Sequence, residues 1–106
     1  MPLISVSDPR TPTEGARFLL EREAETGTRA VYRTTIFTPG TTYVGRATLD
    51  EAGGVELEAG GAPDELGSML QMIARLTARA AAKKREGGLP PWPARVMRWR
   101  GPGRGE

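Results

Sequence analysis

The side chains that could do chemistry in this chain are carboxylates, guanidinium groups, two tyrosines and two tryptophans; it has no histidine and no cysteine. Glu56 and Glu58 are two residues apart in a segment that reads as a strand. They share one face there and could form the carboxylate pair that general acid–base catalysis uses. On a half-exposed strand the simpler reading is that they are its solvent side. Glu21 and Glu25 stand at i, i+4 with Arg17 and Arg22 in pairing reach, which is the pattern of a solvated helix face. Glu23, Asp50, Glu51, Tyr32 and Tyr43 complete the candidates. No nucleophile elbow, phosphate loop, dinucleotide fingerprint or EF-hand loop is present, and Gly53-Gly54 and Gly60-Gly61 read as turns. Without histidine or cysteine, the usual general base, the usual zinc ligands, disulfides and thiolate metal sites are all excluded. Enzyme is the least supported class, and neither a cofactor nor a small-molecule substrate is expected.

The basic residues make a stronger pattern. From Arg75 to the end of the chain, Arg75, Arg79, Lys83, Lys84, Arg85, Arg95, Arg98, Arg100 and Arg104 face only Glu86 and Glu106, a net +7. The remainder is −5, and the overall +2 hides this division. Thirteen of the fifteen cations are arginine, which suits bidentate binding of phosphate or carboxylate and equally suits a composition rich in Ala, Gly and Pro. Composition does not explain the clustering. Arg75, Arg79, Lys83, Lys84 and Arg85 at the end of a predicted helix exceed what the helix dipole needs. Trp92, Arg95, Arg98, Trp99 and Arg100 interleave aromatic and cationic groups. That combination suits a protein hot spot, stacking on exposed bases, or a staple that holds the tail to the body. The expected partners are therefore a sister subunit, an acidic protein surface or, as the alternative, a single-stranded or duplex nucleic acid.

These residues need elements to position them. At 106 residues the chain is one domain by length, and Leu, Ile, Val and Phe number only nineteen, so the core should be thin. Residues 1–10 read as an arm. Thr11-Pro12-Thr13-Glu14 is a capping box with proline at the first helical position, and Ala16, Leu19 and Leu20 then share a face, so a helix is expected over 12–25. The competing reading is a strand over Arg17–Glu23, where Phe18 and Leu20 alternate. Residues 28–38 and 41–49 are rich in β-branched and aromatic types and read as a hairpin about Pro39-Gly40, with Val55–Glu58 as a third strand.

Pro63 then opens a long helix that runs to Gly87-Gly88. Leu66, Met69, Ile73, Leu76 and Ala80 follow a and d positions of a heptad for two repeats, the expected core or dimer seam. Leu89-Pro-Pro-Trp-Pro93 is a stiff connector, 94–100 a possible short strand and 101–106 a frayed tail. The expectation is an α+β fold: a three-stranded antiparallel meander with a short N-terminal helix, a long C-terminal helix and a basic tail. Residues 1–88 would form the domain and 89–106 a Pro/Arg/Trp-rich extension. No apolar run reaches the length of a bilayer span and the start lacks the features of a signal peptide, so the expected setting is the cytoplasm. Function is expected to be that of a small, non-catalytic, homodimeric binding or adaptor module.

Overall fold

A computed structural model describes residues 15–100; the arm at 1–10, the capping box at 11–14 and the tail at 101–106 lie outside the described residues. Five strands form one antiparallel sheet: β1 (Ala16–Thr26), β2 (Arg29–Phe37), β3 (Thr42–Asp50), β4 (Val55–Glu58) and β5 (Arg95–Arg100). The single helix among the described residues, α1 (Asp64–Glu86), lies between β4 and β5 in sequence. The spatial order is β4-β3-β2-β1-β5, so the last strand pairs with the first and puts it inside the sheet.

This corrects the expected architecture. The sheet has five strands instead of three, and residues 16–26 form β1 where a helix was expected. Glu, Arg, Leu and Ala favour helix locally. Here β1 is bonded on both sides, to Phe37–Arg29 of β2 and to Arg100–Arg95 of β5, and Ala16, Phe18, Leu19 and Leu20 are all buried. Burial on both faces breaks the simple alternation by which a half-exposed strand is recognised. β1 is exposed from Glu21 onward, and its pairing shifts between Arg22 and Ala24, a bulge within that exposed part.

The core lies between α1 and one face of the sheet. Phe18 and Leu20 of β1, Tyr32 and Ile36 of β2, Ala47 and Leu49 of β3 and Val96 of β5 supply the sheet side. Leu70, Ala74, Ala78 and Ala81 supply the helix side, with Thr77 buried beside them and its hydroxyl donating to the Ile73 carbonyl at 2.9 Å. Three of those four apolar helix contacts are alanine, so the helix lies close to the sheet. The heptad seam expected from sequence is rotated off this line. Leu66, Met69, Ile73 and Ala80 are half-buried along its flank, and Leu76 is 57% exposed.

Close approach also fixes the turn into the helix. A Cβ on Gly45 would collide with the Glu58 carbonyl, and one on Gly60, whose φ is +70°, would collide with the Val44 carbonyl. Only glycine lets β3 cross the end of β4 at this point. The helix end is closed by Gly88 at φ 77°, with the Leu89 amide donating to the Lys84 carbonyl at 2.8 Å.

Candidate functional site

Building from the residues upward, the proline-rich segment is structural at its centre. Prolines have no N–H to donate, but their carbonyls still accept. Three successive carbonyls are used: Arg22 Nη1 donates to Trp92 O at 2.6 Å, Tyr32 Oη donates to Pro93 O at 2.7 Å, and the Arg22 amide donates to Ala94 O at 3.0 Å. The Trp92 ring is 1% exposed and meets Tyr32 at 6.4 Å between centroids. Its indole N–H is buried without an acceptor. Burial pushes the Tyr32 phenol up to about 12, with smaller opposing effects of nearby Arg22 and Glu25. Residues 89–100, expected as an extension, thus contribute Trp92 and Val96 to the core and an edge strand to the sheet.

The five helical cations separate into different roles. Arg85 turns inward: its Nε donates to Glu51 Oε2 at 2.6 Å and its Nη2 to the Gly27 carbonyl at 3.0 Å. It clamps the helix end to two turns of the sheet. Arg75, Arg79 and Lys83 are exposed, lie at successive i, i+4 positions and make no ion pair with any described residue. Eight residues of helix place them along about 12 Å. Lys84 is half-buried and likewise unpaired among the described residues. Met72 and Leu76 stand beside Arg75 and Arg79 around a shallow depression that Ser68 and Gln71 complete. Both apolar side chains are more than half exposed. The heptad reading left out Met72, and its signal was simple: a long apolar side chain one turn before Leu76.

At β5 the pattern is again mixed. Arg95, Val96, Met97, Arg98 and Trp99 alternate between the two faces of a sheet edge, and Arg95 and Arg98 make no ion pair with a described residue. Trp99 is 47% exposed, and the Arg17 guanidinium carbon lies 5.2 Å from its ring centroid. Arg17 and Trp99 are direct cross-strand neighbours, a relation invisible before β1 and β5 are paired. On the helix side, Phe18, Met69, Met72, Ile73 and Leu76 line a cleft of about 190 Å³ whose outer wall is Arg98 and Trp99. Arg100 closes the strand opposite Ala16. The expected site residues are therefore divided: Trp92 goes to the core, Arg85 to an internal ion pair, and the rest to the helix ridge and the β5 edge.

The sheet face away from the helix has two halves. The register sets Val44, Thr35, Leu19 and Met97 in one row across four strands, and Phe37, Arg17 and Trp99 in the next. A third row reads Glu58, Arg46, Arg33, Glu21 and Arg95, of alternating sign for most of its length. Arg46 is further engaged by Glu23 at 3.0 Å. Glu56 and Glu58 sit at the β4 edge, exposed and apart from any enclosed pocket, which suits a solvated strand face. Among the described residues there is no group of three carboxylates placed to hold a metal ion.

Comparison finds no family model, no curated protein and no solved structure that matches this chain. No helix among the described residues is long and apolar enough to cross a membrane.

Proposed function

We propose that this chain is a non-catalytic binding module whose outward helix ridge takes an acidic protein surface. The observation that carries this reading is the row Arg75, Arg79 and Lys83, unpaired among the described residues and flanked by the exposed Met72 and Leu76. Unpaired cations beside long apolar side chains are complementary to a segment that alternates carboxylates with aliphatic groups. Arginine binds the carboxylates, and methionine adapts to the apolar part. A polyanion is the weaker match for one copy. Affinity for a nucleic acid rests on the number of phosphates neutralised, and the three cations of a ridge about 12 Å long neutralise few. The mixed signs of the Glu58-to-Arg95 row also disfavour laying a phosphate backbone across the sheet face away from the helix.

The test is fluorescence anisotropy with a labelled peptide of alternating Glu and Leu, set against a labelled single-stranded oligonucleotide and a duplex. The peptide should bind, and Arg79→Glu should weaken it about tenfold, which equals about 1.4 kcal/mol. Binding of the oligonucleotide in place of the peptide, with a steep loss on adding salt, would replace this reading by the nucleic-acid one.

A further inference from the structure

Among the described residues the edge strand β5 pairs with a strand on one side only, and its side-chain order is self-complementary. We propose that a second copy of this chain pairs with β5 antiparallel about a two-fold axis at Met97, extending the five-stranded sheet to ten strands. Sheet edges with unpaired backbone groups invite such addition unless charge or shape forbids it. A two-fold axis perpendicular to the sheet keeps like faces together, so odd residues of β5 must meet odd residues of the second copy. With Met97 opposite Met97, Arg95 falls opposite the second copy's Trp99, and Val96 opposite its Arg98. No arginine directly opposes an arginine.

The neighbouring registers are worse. Moving the axis to Arg98 sets Arg98 against Arg98, and moving it to Val96 sets Met97 against the second copy's Arg95, which puts charge into the Met97 row. The other edge among the described strands, β4, offers only Val55-Glu-Leu-Glu58, where a face-preserving two-fold register centred on Glu56, Leu57 or Glu58 puts glutamate opposite glutamate and one centred on Val55 pairs a single residue of the strand. Like charges directly opposite are destabilising.

The rows of the sheet face away from the helix continue across the proposed boundary. Val44, Thr35, Leu19 and Met97 would run into Met97, Leu19, Thr35 and Val44 of the second copy, a row without charge whose centre is apolar. Trp99, already under Arg17, would take the second copy's Arg95 on its other side. Met97 and Trp99, 36% and 47% exposed, would both be covered. On the helix face the two clefts bordered by β5 would open onto one another, which gives the half-buried Met69 and Ile73 an apolar neighbour. The helix ridges stay outward on the same side, so the acidic-partner surface would be presented twice.

Sedimentation of the full chain from about 1 µM to about 1 mM, spanning weak to moderate dimer affinities, tests this. The wild type should reach twice the chain mass. Met97→Lys, which sets two lysines opposite each other, should raise the dimer dissociation constant about tenfold or more. Because the chain has no cysteine, single replacements report the register directly. Met97→Cys should cross-link two copies on mild oxidation, and Val44→Cys, exposed on the same face but on β3, should not. A wild type that remains monomeric at the highest concentration overturns the proposal. So does a dimer that cross-links through Val44→Cys and not through Met97→Cys. Peptide binding by the Met97→Lys monomer reads the helix ridge separately, so either reading can fail without the other.

Discussion

The Tyr32 hydroxyl donates to the Pro93 carbonyl at 2.7 Å, tying the second strand to the connector that leads into the last one. Tyr32 is fully buried, and its phenol is held near 12 by burial, against an ordinary value of 10. The folded state keeps this proton where the unfolded chain loses it. Stability from Tyr32 is therefore complete below pH 10 and declines as pH rises from 10 toward 12, by about 2–3 kcal/mol at most. Chemical denaturation at pH 8 and pH 11 should show that loss in the wild type. Tyr32→Phe should be less stable at pH 8 and should lack the part of the alkaline slope that belongs to this group.

The Arg85–Glu51 pair is the second test, because it separates a structural cation from the binding ones. Glu51 is largely covered and Arg85 about half exposed, so solvent weakens the pair. A double-mutant cycle with Arg85→Ala and Glu51→Ala should give a coupling of about 0.5–1 kcal/mol in thermal or denaturant unfolding. Arg85→Ala should leave acidic-peptide affinity within about twofold, where Arg79→Glu changes it about tenfold. Equal effects of the two on the peptide would return Arg85 to the binding surface.

Trp92 and Trp99 should report opposite environments. At concentrations too low for the proposed pairing of copies, Trp99→Phe should leave a protein whose remaining fluorescence resists quenching by iodide, and Trp92→Phe one that is readily quenched. Trp92→Ala should cost about 3–5 kcal/mol, a large part of the stability of a small domain. Trp92→Phe should cost much less, since it also removes the buried indole N–H that has no acceptor.

Gly45→Ala should destabilise the fold by about 1–3 kcal/mol through overpacking against the Glu58 carbonyl. Differential scanning calorimetry should show a melting temperature lower by about 5 °C or more. Gly40→Ala, where a Cβ meets open space, is the control and should change little.

Much of the architecture could be read from residue order. Strands β2 and β3 and the helix bounds follow from β-branched runs, Pro63 and the Gly87-Gly88 stop, because those signals are local. β1 could not be read in this way. Its Glu-, Arg- and Leu-rich segment prefers helix in isolation, and it is a strand because β2 and β5 enclose it from distant parts of the chain. The helix contact line was misplaced for a related reason. Periodicity gives most weight to large side chains, which drew the seam through Leu66, Met69, Ile73, Leu76 and Ala80. The sheet is met most fully by Leu70 and the small side chains of Ala74, Ala78 and Ala81, with Leu66, Met69 and Ile73 packed beside them and Leu76 exposed. For the binding surface, the basic character of the helix end was legible in sequence, but not the inward turn of Arg85 or the contact of Arg17 with Trp99. Both depend on which strands become neighbours.

The order in which the strands leave the ribosome gives the last of them a particular weight. Translation completes β1 through β4 and the helix before Arg95–Arg100 has been made, yet the inner strand bonds to that final segment along Ala16–Glu21. A nascent chain stalled before residue 95 therefore exposes the flank of its first strand, with Leu19 and Phe18 behind it, to any other extended polypeptide nearby. Folding to the finished state must wait until Arg95–Arg100 has been made, and truncation before Arg95 should yield aggregates in place of a shortened but working protein.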